Sequence, residues 1–163
     1  MIVWTGDNIA HDIWNQTQEK QTLNTYNITE DILTYFPNTP VYPMFGNHEP
    51  YPADQFDTTG NASSWLTEQL SDMWRQWLDD KALATFRNFS YYAMENKEFN
   101  VKVIALDTQA CDTTDFYLIR DPTDPMHQLE WLRNELYESE AKNQKVFLLG
   151  HIPPGDGGCY DRK

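Results

Sequence analysis

The chain has 163 residues, 40% hydrophobic and 14% aromatic, enough to bury one sizeable core and too few for two ordinary domains. Its formal net charge of -13 argues against electrostatic binding of nucleic acid, whose phosphate backbone requires Lys and Arg; an anionic substrate would have to be drawn in by a bound cation. No apolar run approaches the roughly 20 residues of a membrane-spanning helix, and Met1 leads into a strand rather than a signal peptide, so a targeting segment for a secreted protein would lie outside this chain.

In chain order, the apolar run Ile2-Val3-Trp4 reads as a strand that stops at Gly6 and hands over to Asp7, with Asn8, His11 and Asp12 following. Residues 12–21 are polar and give no clear element. Apolar residues at helical spacing (Leu23, Tyr26, Ile32, Leu33, Phe36) predict a helix over 23–36, ended by Pro37. A strand over 41–45 follows, so strand, helix and strand form the pattern of a parallel pair with a right-handed crossover. Residues 49–61, rich in Pro, Asp and Thr, predict a long loop leaving Asn47-His48, the kind of loop that carries function.

Ser63 or Ser64 is placed to cap a helix whose Trp65, Leu66, Leu70, Met73, Trp74, Trp77 and Leu78 form an apolar stripe. Core packing is the plain reading of that stripe, and a surface for a lipid or partner is the alternative. A short helix near 81–86 precedes strands 89–94 and 101–106, a hairpin joined through Glu95-Asn96-Lys97-Glu98. Asp124 as cap with Pro125 at the first helical position opens a helix to about residue 143, with Leu129, Leu132, Leu136 and Tyr137 expected to face inward. The strand 146–149 then delivers Gly150-His151, and Ile152-Pro153-Pro154-Gly155 turns the chain away.

Three strands thus end in glycine followed by a potential ligand: Gly6-Asp7, Gly46-Asn47-His48 and Gly150-His151. Singly, Gly-Asp and Asn are ordinary turn residues and a loop histidine ordinarily bonds backbone. Together they offer a carboxylate able to bridge two cations, a neutral amide oxygen and an imidazole, with His48 free to face a substrate as proton donor. His11 is a candidate to orient a ligand or a phosphate, whereas His127 reads as a surface histidine. Asp31, Asp72, Asp79, Asp80 and Glu130 read as solvated charges. Gly-x-Gly-x-x-Gly, Walker A, His-Glu-x-x-His and Gly-x-Ser-x-Gly patterns are absent, and no nucleophile for Ser/His/Asp catalysis is visible.

Sequons at Asn15, Asn27, Asn61 and Asn88 mark candidate glycosylation sites and a secretory route. In a cytosolic protein Cys111 and Cys159 would be free thiols. Beside the sequons, one disulfide is favoured, worth roughly 4 kcal/mol in the chain-entropy account.

Gly6-Asp7, Gly46-Asn47-His48-Glu49 and Gly150-His151 resemble the ordered blocks of calcineurin-like metallophosphoesterases. Trp4-Thr5-Gly6-Asp7 with Ala10-His11-Asp12, then Val41-Tyr42-Pro43, Asp124-Pro125 with Gln128-Leu129 and Trp131-Leu132, and Gly150-His151-Ile152-Pro153-Pro154-Gly155 are similar, nearly end to end, to the acid sphingomyelinase branch. The resemblance implies an α/β fold, a two-sheet sandwich flanked by helices with metals at the strand ends. It implies two zinc ions, Asp7 as the bridging carboxylate, Asn47 and His151 as ligands of one metal, His48 as the acid for the leaving alcohol, His11 near the phosphate, and a Cys111–Cys159 disulfide.

The family's Asp-x-His strand would precede Met1 and its Gly-His-x-His motif would follow Lys163. The expectation is therefore a fold truncated at both ends, with 1–163 a partial catalytic domain and the family's saposin-like domain absent. The expected function is phosphodiester hydrolysis, of sphingomyelin to ceramide and phosphocholine at a membrane surface, in a secreted or lysosomal protein. One alternative is a secreted phosphodiesterase acting on nucleotides or other soluble diesters, against which the 155–159 stretch weighs weakly. The other is an incomplete fragment or pseudoenzyme that binds lipid or a partner through its tryptophans. Oligomeric state and metal identity stay open at this point.

Overall fold

A computed structural model describes residues 1–59, 61–155 and 159. Strand β1 (Ile2–Trp4) pairs in parallel with β2 (Val41–Pro43), Ile2 opposite Val41, and helix α1 (Gln18–Tyr35) makes the crossover. Helices α2 (Ser64–Trp74) and α3 (Asp80–Phe89) follow, then β3 (Tyr92–Asn96) and β4 (Val101–Ala105), helix α4 (Gln128–Ala141) and β5 (Lys145–Leu149). In the second sheet β4 lies at the centre, antiparallel to β3 and parallel to β5. The expected strand, helix, strand unit and the hairpin are both present. The hairpin starts later than its sequence suggests, because Phe89 still belongs to α3 and Ser90 ends that helix in a left-handed conformation (φ 63°).

Two tyrosine hydroxyls stitch the sheets together. Tyr92 donates to the Pro43 carbonyl at 3.0 Å, and Tyr42 accepts from the Asn96 amide at 2.8 Å. Between them lies an aromatic core in which Trp4 meets Trp74 edge-on at 5.6 Å, Trp74 meets Phe86 at 5.2 Å and Phe86 meets Tyr92 at 6.2 Å. Leu66, Leu70, Trp74 and Leu78 are buried, and Trp65, Met73 and Trp77 pack against them. The tryptophan stripe that begins on α2 is therefore mainly core, with Trp65, Met73 and Trp77 half-buried at its margin. The cap differs too: the Ser63 hydroxyl accepts from the Asp57 N–H at 2.8 Å rather than from the helix.

Two helices turn polar faces inward, against expectation. Helix α1 starts at Gln18, capped by the Thr17 hydroxyl, which accepts from the Lys20 N–H. It buries Gln21, Thr25 and Thr29 while Leu23 and Tyr26 are 57% and 49% exposed. That face lies against loop backbone, where Gln21 donates to the His48 carbonyl and Thr25 accepts from Asn8. Helix α4 buries Gln128, Glu135 and Ser139, leaving Leu129, Leu136 and Tyr137 exposed. The Asp124 carboxylate caps it as expected, accepting from the Leu129 and Glu130 N–H groups, although a 3-10 turn over Pro125–His127 delays the helix proper.

The reason α4 faces this way is Lys102 on β4, whose buried ammonium donates to Glu135 at 2.7 Å. Burial alone would lower the Lys102 pKa, but Glu135, with Glu138 and Glu95, outweighs it and raises it. Removing one partner strands a buried charge, whereas replacing both by apolar groups of similar size does not. Glu135→Ala is expected to cost about 3 kcal/mol in denaturant unfolding, and Glu135→Leu combined with Lys102→Met much less.

Asp107, at the exit of β4, is buried, and that burial pushes its carboxyl from 3.8 to about 7 with help from Asp115, against hydrogen bonds from Ser90 and the Gln109 N–H. The folded state holds the proton more tightly than the unfolded one, so the contribution of Asp107 to stability is full below pH 4 and is lost as pH rises toward about 7. Asp107→Asn, which mimics the neutral acid, should flatten that decline in chemical unfolding measured between pH 4 and 7.5, an effect bounded at about 4 kcal/mol.

Candidate metal centre

Backbone geometry forms the centre before any side chain does. The chain leaves β1 through two left-handed residues, Gly6 (φ 84°) and Asp7 (φ 57°), a conformation glycine adopts freely and aspartate tolerates. The loop after β2 passes so close that a Cβ on Gly6 would sit 2.2 Å from the Gly46 nitrogen. Neither loop could approach the other with a side chain at that point.

Glu49, fully buried, joins the two loops. Its Oε2 accepts from the Asp7 N–H at 2.9 Å and the Gly46 N–H at 2.5 Å, and its Oε1 accepts from the Asn8 N–H at 2.6 Å. Burial raises its pKa despite these three donors. Gln109 adds a further tie, donating to the Gly46 carbonyl at 3.2 Å.

Into this frame project the three ligand candidates. His151 lies beyond β5, where its Nδ1 meets the Thr5 carbonyl at 2.6 Å. A carbonyl only accepts, so Nδ1 carries a hydrogen and Nε2 is the nitrogen left for a ligand. That Nε2 lies 2.9 Å from Asn47 Oδ1 and 3.3 Å from Asp7 Oδ2. Asn47 turns its Nδ2 away, to Asp54 Oδ1 at 2.6 Å. An imidazole nitrogen, an amide oxygen and a carboxylate oxygen therefore converge on one point, a cluster of electron-pair donors that only a cation or an added proton can reconcile. The hydrogen bond and charge of Asp7 raise the His151 pKa against the effect of burial. Burial pushes the Asp7 carboxyl up, but the bond and charge of His151, with the His48 N–H at 3.1 Å, hold it below its ordinary value.

Among the described residues no three His, Cys, Asp or Glu gather as a metal site; the cluster has two such residues and an amide. The donor set fits a divalent ion of borderline softness, with neutral nitrogen, neutral oxygen and one anionic oxygen. Gly46 lies at its middle, where a Cβ would come within 2.2 Å of Asp7 Oδ1 and 2.8 Å of His151 Nε2.

The two other candidate histidines, His48 and His11, stand beside it. His48 is buried and its ring lies 4.5 Å from the exposed ring of His11, centroid to centroid. His48 Nδ1 has no hydrogen-bond partner among the described residues. All five site candidates are thus brought together, and Cys111 is bonded to Cys159 with Cα atoms 5.0 Å apart. Asn15, Asn27, Asn61 and Asn88 are all exposed, and His127 is exposed as expected. The 155–159 stretch lies largely outside the described residues. Glu49, Asp54, Gln109 and the Thr5 carbonyl were not picked out by sequence reasoning. Only Glu49 carried a signal, as the acid closing the Gly-Asn-His-Glu block.

The model of the calcineurin-like phosphoesterase family matches residues 1–163, and the chain belongs to that family, whose members are metal-dependent. Among curated proteins it is 40% identical to sphingomyelin phosphodiesterase 2 of Caenorhabditis elegans over 97% of this chain and 26% of that protein. It is 39% identical to human sphingomyelin phosphodiesterase over 95% of this chain and 25% of that protein. Human cyclic GMP-AMP phosphodiesterase SMPDL3A is 30% identical over 94% of this chain and 34% of that protein. The chain thus spans about a quarter of the length of the sphingomyelin phosphodiesterases.

A methyl group at Gly46 would collide with two of the three donors. Gly46→Ala is expected to leave the circular dichroism of the fold intact and to abolish stoichiometric metal uptake, read by dialysis and elemental analysis.

Proposed function

We propose that this chain forms part of the catalytic domain of a metal-dependent phosphodiesterase that hydrolyses sphingomyelin to ceramide and phosphocholine. The convergence of Asp7, Asn47 and His151 beside a pair of histidines is the observation that carries the reading. Relatives named sphingomyelin phosphodiesterases, at 39–40% identity, support the substrate.

Asp7, Asn47 and His151 would hold zinc. Bound there, a divalent ion lowers the pKa of a coordinated water and offsets the charge on the phosphate. A two-ion site needs more donors than these three, which accords with 1–163 as a partial domain whose remaining ligands come from further sequence. His48 donates a proton to the departing ceramide oxygen as the phosphorus–oxygen bond to it breaks and the bond to the attacking water oxygen forms. His11, beside His48, contacts the phosphate. The net negative charge of the chain leaves the metal centre as the attraction for an anionic diester.

Exposed sequons and the disulfide support secretion or a lysosomal location. No helix among the described residues is long and apolar enough to cross a membrane. The likeness to a cyclic GMP-AMP phosphodiesterase supports a second reading, hydrolysis of soluble nucleotide diesters.

Turnover of detergent-dispersed sphingomyelin against nucleotide diesters by the full-length protein separates the two, and a strong preference for nucleotides would displace the first. His48→Ala should slow sphingomyelin hydrolysis by about 10²- to 10⁴-fold while sparing an activated aryl phosphodiester, whose leaving group needs no proton. Equal losses on both substrates would remove His48 as the acid. Full activity in a His48→Ala, Asn47→Ala double variant would remove the chemistry altogether.

A further inference from the structure

An amide side chain is an ambiguous metal ligand, because rotation by half a turn about its last bond replaces the donor oxygen by an NH₂ group that repels a cation. Something must hold Asn47 the right way round. Its Nδ2 donates to Asp54 Oδ1 at 2.6 Å while its Oδ1 faces His151 Nε2 at 2.9 Å. The backbones are joined as well, the Asp54 N–H donating to the Asn47 carbonyl at 2.7 Å. Asp54 itself is left-handed (φ 63°), so its carboxylate returns toward the residue seven positions earlier instead of following the loop outward.

We propose that Asp54 is a positioning residue for the metal centre, fixing the Asn47 amide so that its oxygen faces the ion. The inference rests on the metal-centre reading above and adds a residue outside the Gly-Asn-His-Glu block. The flipped amide would turn NH₂ toward the Asp7 and His151 side and its oxygen toward the Asp54 carboxylate, acceptor against acceptor. One hydrogen bond therefore decides which atom the metal meets, as outer partners do for other ligands. The acceptor matters here rather than the charge, since an amide oxygen at position 54 would serve equally.

Two substitutions separate these roles without disturbing the loop. Asp54→Gly removes the side chain and suits the left-handed backbone, and Asp54→Asn keeps an acceptor oxygen and tolerates the same conformation. Zinc affinity of the full-length protein, by competition with a chromophoric chelator, should fall about 10- to 100-fold in Asp54→Gly and stay near wild type in Asp54→Asn. In the metal-free protein the Asn47 side-chain NH₂ should exchange slowly with solvent in wild type and Asp54→Asn, and rapidly in Asp54→Gly. Wild-type affinity in Asp54→Gly would overturn the positioning role alone, and so would an equal loss in Asp54→Asn. A wild-type protein that takes up no zinc would overturn the metal centre, and the inference with it.

Discussion

Three backbone N–H groups converging on the buried carboxylate of Glu49 are the constraint behind the whole centre. Asp7 and Asn47 belong to loops 40 residues apart in sequence, attached to strands that pair over only three residues each. So short a parallel ladder cannot fix two loops at their far ends, and loop backbone buried without acceptors would cost free energy for every unpaired N–H. Glu49 supplies the acceptors. It does so at the cost of its own ease of ionisation, which burial opposes. The glycine at 6 is a consequence of the same arrangement, because loops clamped this closely have no room for a Cβ there, while a Cβ at 46 would meet the Asp7 and His151 side chains instead.

Much of the fold and the convergence of the candidate ligands were legible in the sequence. Strand, glycine, ligand is a local grammar: a short apolar run stops where the sheet stops, and the next polar side chain emerges at its edge. Read three times over, it predicted that Asp7, Asn47 and His151 would meet, and they do. The tryptophan stripe on α2 was equally readable, since spacing of three and four with large aromatics has few uses other than a core.

Orientation was the part the sequence withheld. Helical periodicity finds an apolar stripe, but on α1 and α4 most of the stripe is exposed, Ile32 being a member that does pack on the core. Gln21 and Thr25 turn inward because loop backbone and Asn8 await them, and Glu135 does so because Lys102 does. Each contact depends on a partner many residues distant. The positioning residues escaped for the same reason. Asp54 and Gln109 look like ordinary loop and turn residues, and only the folded chain shows that one grips Asn47 and the other the carbonyl of Gly46.

The cysteine bridge divides responsibility for the centre in an unequal way. Asp7 and Asn47 are secured by Glu49, a noncovalent knot inside the first half of the chain. His151 comes from further along the chain, just past β5, and the segment that follows it is anchored to the loop after β4 by Ile152 donating to the Thr108 hydroxyl and by the bond between Cys159 and Cys111. Reduction of that bond would therefore loosen the segment behind the imidazole while leaving the hold of Glu49 on the carboxylate and amide loops in place, so that redox state reaches only one side of the cluster.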